Sequence, residues 1–130
     1  MARKILVADD EEKLRIVIKE RLEHAGYDVE MAVDGKDALH KVKKFNPDVI
    51  VLDVMMPELD GFQVLEHLKK DKHTMHIPVI MLTALNQSDN VQKGMEHLAH
   101  RYITKPFNSQ DFLHEIDRCF TEIGDSSAGD

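Results

Sequence analysis

Apolar residues in this chain come in short runs that end on polar groups of one kind of chemistry. Ile5-Leu6-Val7-Ala8 runs into Asp9 and Asp10, and Val49-Ile50-Val51-Leu52 into Asp53. Val79-Ile80-Met81-Leu82 ends on Thr83, and Tyr102-Ile103-Thr104 on Lys105. Runs of this length bounded by turn residues predict strands, at 4–8, 28–33, 48–53, 78–83 and 101–104. Between them the apolar period changes to that of a helix. Leu14, Val17, Ile18, Leu22 and Ala25 form one predicted face, which Gly26 stops. Ala38, Leu39, Val42 and Phe45 form a second, which Asn46-Pro47 ends. Leu65 and Leu68 mark a third, and Val91, Met95 and Leu98 a fourth. Phe112, Ile116, Cys119 and Ile123 mark a fifth. The predicted helices lie near 11–25, 36–45, 61–70, 88–98 and 109–123.

Strict alternation of strand and helix predicts an α/β fold with a parallel sheet and right-handed crossovers. The first, third and fourth runs are apolar throughout, as strands covered on both faces must be. The second alternates, with Val29, Met31 and Val33 against Glu30, and the fifth is short and mixed. Those two belong at the edges. The doubly wound order 2-1-3-4-5 satisfies this and puts a switch point between strands one and three. Asp9, Asp10 and Asp53 then converge at the carboxyl edge, where such sheets bind ligands.

The whole chain of 130 residues suits one domain, expected over 1–123, with 124–130 a flexible tail or truncated linker. A net charge of −7 argues against nucleic acid or anionic membrane as direct partners. The single Cys119 forms no internal disulfide, which fits a reducing cytoplasm, and its spacing makes it a core residue. No apolar run approaches the ~20 residues of a membrane span. Met1-Ala2-Arg3-Lys4 leads straight into the first strand and leaves no room for a signal peptide.

Three carboxylates at one spot repel one another unless something positive intervenes. Oxygen ligands favour a hard cation, Mg2+, which leaves coordination positions for a phosphoryl oxygen. Asp53 is the candidate nucleophile for an aspartyl phosphate, with Lys105 pairing one phosphoryl oxygen and Thr83 hydrogen-bonding another. Taken singly, an aspartate after a strand is a cap, Lys105 a solvated lysine and Thr83 a strand end. Their joint placement at four strand ends favours a site.

With these residues in place, the chain resembles the receiver domain of two-component response regulators, of stand-alone or chemotaxis-like type. The resemblance runs from Lys4 to Phe120. It rests on Ile5-Leu6-Val7-Ala8-Asp9-Asp10, on residues 51–61 from Val51 to Gly61, on Pro78-Val79-Ile80-Met81-Leu82-Thr83-Ala84, and on Tyr102-Ile103-Thr104-Lys105-Pro106-Phe107. It implies a flavodoxin-like (βα)5 fold with Asp53 as phosphoacceptor. It also implies Mg2+ ligated by Asp10, Asp53 and the Met55 backbone carbonyl, with Asp9 acting through water. Thr83 matches the family's switch hydroxyl, Tyr102 its rotating aromatic, and Lys105–Pro106 its cis bond. The implied donor is a histidine kinase or phosphotransfer protein. The implied output is a change in the surface of the fourth helix, fifth strand and fifth helix, which controls a protein target. Such a protein is a switch that catalyses its own phosphorylation and dephosphorylation.

Two departures matter. Before Tyr102 the family commonly carries Gly-Ala-Asp-Asp, and this chain carries Leu98-Ala99-His100-Arg101. The family's dimer pairs those acids with basic residues of the last helix. Here the polarity is reversed, with Glu115 facing Arg101, so a monomer or weak dimer is expected. Met55 and Leu85, two residues after Asp53 and Thr83, are apolar and cannot orient an attacking water, so a long-lived phosphoryl group is expected. His73, His76, His97 and His100 lack ligand-type neighbours and read as surface residues, although His97 and His100 could tune the output face with pH. A haloacid-dehalogenase-type phosphatase needs an acid where Met55 stands. An electron carrier of the flavodoxin type needs a hydroxyl-rich loop where Asp9-Asp10-Glu11-Glu12 stands. An unphosphorylated interaction module has no use for the intact acid, hydroxyl and lysine set.

Overall fold

The computed structural model describes residues 2–84 and 98–123. Five strands and four helices lie within them. They are β1 (Lys4–Ala8), α1 (Glu12–His24), β2 (Asp28–Ala32), α2 (Gly35–Phe45), β3 (Val49–Asp53), α3 (Gly61–Lys70), β4 (Val79–Ala84), β5 (Arg101–Lys105) and α4 (Ser109–Glu122). All strand pairs are parallel, in the order β2-β1-β3-β4-β5, as the apolar runs predicted. The helix expected near 88–98 falls, but for Leu98, outside the described residues, as does the tail at 124–130.

The two-residue period of the strands divides the core into two layers. Leu6, Ala8, Ile50, Leu52, Val79 and Met81 face α2 and α3, where Ala38, Val42, Val64 and Leu65 meet them. Ile5, Val7, Val49, Val51, Ile80 and Leu82 face α1 and α4, where Ile18, Leu22, Phe112, Ile116 and Cys119 meet them. Cys119 is thus the core residue its spacing implied. The predicted face of α1 is too broad. Ile18 and Leu22 are buried and Leu14 packs against them, but Val17 is 47% exposed, about a quarter-turn off their line. Ala25 is exposed because it is the C-cap, beyond the last full turn. Ile123 also lies past its helix and is exposed.

Turn chemistry places the helix ends. Gly26 and Asn46 take left-handed φ values of 99° and 53° where α1 and α2 stop. Asp34, Asp60 and Asn108 cap α2, α3 and α4, each accepting a backbone N–H three residues on. Asp60 and Gln63 form a reciprocal capping box, with both bonds 2.9 Å. The N-cap of α1, Glu11, makes no such side-chain bond.

Candidate functional site

Four strands deliver the predicted residues to one edge. Asp53 is the last residue of β3, Asp9 and Asp10 follow β1, Thr83 lies near the end of β4, and Lys105 closes β5. Carboxylate oxygens of Asp9, Asp10 and Asp53 lie within 4.8 Å of one another. Asp9 and Asp53 are buried, while Asp10 is exposed. The Lys105 ammonium bridges the two buried acids, 3.2 Å from Asp53 Oδ2 and 3.3 Å from Asp9 Oδ2. Asp53 Oδ1 accepts from the Met55 N–H at 3.2 Å, and Asp9 Oδ1 from the Glu11 N–H at 2.8 Å.

The backbone beneath is close-packed. Gly61 donates its N–H to the Val54 carbonyl at 2.8 Å, and a Cβ at Gly61 would collide with the backbone of Asp53 and Val54. That contact, with Glu58 at φ 66°, folds the loop after β3 back on the site. Within that loop the Leu59 N–H donates to the Pro57 carbonyl at 2.8 Å, a tight turn ahead of α3. The Lys105–Pro106 bond is cis.

The electrostatics follow from burial. Desolvation, then the Asp9 carboxylate, push the Asp53 carboxyl up to about 6, against the pull of Lys105. Burial lowers the Lys105 ammonium, but Asp53 and Asp9 outweigh it and raise the group overall. One ammonium cannot neutralise three carboxylates, and every charged acceptor is an oxygen. The donor set fits a hard divalent cation of the magnesium kind.

Thr83 is buried, with its hydroxyl 3.4 Å from the Ala84 carbonyl, a long contact that leaves it available. Tyr102 is half-buried and packs against the α2–α3 layer. Met55 is 58% exposed beside Asp53, so it is not simply packed against its loop. Leu85 and His97 lie outside the described residues. A groove of about 700 Å³ opens at the amino-terminal end of the sheet, lined by Arg3, Pro47, His76 and Phe120. It lies opposite the acids and takes no part in their chemistry.

Two contacts had no signal in the sequence. Arg15 of α1 donates through Nη1 to the Asp9 backbone carbonyl at 2.7 Å. A side chain aimed at a carbonyl leaves no pattern of residue types. The predicted Arg101–Glu115 pair is present at 2.8 Å, but Arg101 also binds Glu122, whose other oxygen is 3.1 Å from His100 Nε2. Residue 122 falls one turn beyond 118 and two beyond 115 on the same face of α4, and tertiary packing alone brings Arg101 of β5 against it.

The model of the response regulator receiver domain matches residues 5–117. The DNA-binding dual master transcriptional regulator RpaA of Synechocystis is 41% identical over 113 residues, covering 87% of this chain and 47% of that protein. The alkaline phosphatase synthesis transcriptional regulatory protein PhoP of Bacillus subtilis is 44% identical over 111 residues, covering 85% of this chain and 45% of that protein. The chain thus spans about half the length of these curated relatives. Among solved structures, the Vibrio cholerae chemotaxis protein CheY4 superposes with a TM-score of 0.83 at 34% identity, over 91% of this chain and 98% of that one. The receiver domain of a histidine kinase from Syntrophus aciditrophicus superposes with a TM-score of 0.86 at 32% identity, over 95% and 93%.

Proposed function

The chain belongs to the response regulator receiver domain family, and from that membership we propose that Asp53 accepts a phosphoryl group from a phosphorylated histidine kinase or phosphotransfer protein. The family makes the domain a signalling switch, and the Lys105 bridge between two buried carboxylates carries the assignment to Asp53. In the transfer an Asp53 carboxylate oxygen attacks phosphorus, the P–O bond forms, and the P–N bond of phosphohistidine breaks. The bonding pair leaves with the imidazole nitrogen, which takes up a proton. Lys105 pairs a phosphoryl oxygen and offsets charge that Asp9 and Asp53 repel. Thr83 donates its hydroxyl to another phosphoryl oxygen. Asp9, Asp10, Asp53 and the Met55 carbonyl would hold magnesium, which would supply further charge neutralisation. Tyr102 follows Thr83 and changes the surface of β5 and α4.

Asp53→Asn is expected to abolish labelling by acetyl phosphate and Mg2+. Full incorporation in that variant, read by intact mass, would overturn the assignment. The exposed, apolar Met55 cannot hold a water in line with the phosphorus, so hydrolysis of the aspartyl phosphate is slow. Met55→Glu is expected to shorten its lifetime, and a wild-type half-life of seconds would contradict this reading.

We further propose that this domain acts through protein contacts in the cytoplasm. Among the described residues no helix is long and apolar enough to cross a membrane. The expectation of no nucleic-acid partner does not match the description of RpaA as DNA-binding, but the match covers less than half of that protein.

A further inference from the structure

We propose that Arg15 is a positioning residue of the cation site, acting through the backbone of Asp9; the proposal rests on the reading of the acids as that site. Among the described helices, α1 is the one whose N-terminus lacks a side-chain cap. Asp9, Asp10 and Glu11 stand where a cap would come from. Asp9 instead turns into the site, 0% exposed, and Asp10 joins its rim. The turn must therefore be held by other means. The Asp9 N–H donates to the Ala32 carbonyl at 3.2 Å, and Asp9 Oδ1 accepts from the Glu11 N–H at 2.8 Å. The remaining main-chain group, the Asp9 carbonyl, accepts from Arg15 Nη1 at 2.7 Å. Arg15 also donates its backbone N–H to the Glu11 carbonyl at 3.0 Å. One residue thus ties both ends of the acidic turn to the first turn of α1. The guanidinium is planar and always charged, so it holds that carbonyl in one orientation.

A positioning role and a purely electrostatic role predict opposite signs. Arg15 is positive, so its loss by charge alone would tighten cation binding. Loss of positioning would weaken it, on the order of 10-fold, as for other groups that orient ligands from behind. The test is isothermal titration of the unphosphorylated full chain with Mg2+, comparing wild type, Arg15→Ala, Arg15→Gln and Arg15→Lys. Thermal unfolding without Mg2+ and labelling of Asp53 by acetyl phosphate at saturating Mg2+ serve as checks of the fold. Weaker Mg2+ binding in the Ala and Gln variants, with full labelling at saturation and partial recovery in Lys, is the expected result. Unchanged or tighter binding in folded Ala and Gln variants overturns the proposal. Absence of Mg2+ binding in wild type overturns the reading of the site itself.

Discussion

Burial and the Asp9 carboxylate leave Asp53 with a proton at a pH where an exposed aspartate has lost it. Its carboxyl titrates at about 6 in the folded chain, against an ordinary 3.8. The sign of the linkage follows from the raised value. The stability this group contributes is fully present below 3.8 and is lost as pH rises through about 6. Two units correspond to on the order of 2–3 kcal/mol that the ionised acid takes from the fold at neutral pH. Without divalent cation, Asp53→Asn is therefore expected to be more stable than wild type at pH 7.5, by about 2 kcal/mol. The gain should fade towards pH 4, and Mg2+ should narrow it at pH 7.5. Urea denaturation at the two pH values measures this; the same difference at both would contradict it. The residue proposed to accept the phosphoryl group is thus one whose ionised form lowers the stability of the fold.

At the scale of elements, the edge strand β5 is tied to α4 by charge. Arg101 binds Glu115 and Glu122, and Arg118 lies 3.9 Å and 3.7 Å from the same two acids. Arg101, which stands where the resemblance led one to expect an acid, is thereby engaged within one chain. No tight phosphorylation-dependent dimer is expected through this face, and light scattering with and without acetyl phosphate tests that directly. The strands and their order were legible in the sequence because each strand is a short apolar run with a distinct degree of burial. The site was legible because its residues end those runs. Val17 was misjudged because helical spacing gives a face but not its width, which depends on how squarely the helix meets the sheet. The contacts of Arg15 with a carbonyl and of Arg101 with Glu122 depend on backbone position, which no pattern of residue types encodes.

For the whole molecule, the two layers either side of one sheet leave the Cys119 thiol fully buried, and burial pushes it up to about 11. It should be inert to thiol reagents in the folded protein. Its labelling should track global unfolding, so that the urea midpoints from Cys119 labelling and circular dichroism coincide. Ready labelling under native conditions would mean that the α1–α4 layer opens by itself. The Lys105–Asp9 pair spans 96 residues of sequence. A growing chain carries both buried acids long before it carries the ammonium that lies between them. Until β5 has been synthesised and docked on β4, the acidic edge lacks the ammonium that bridges its two buried acids. On the proposed function, the site is complete only once the chain has been made as far as Lys105.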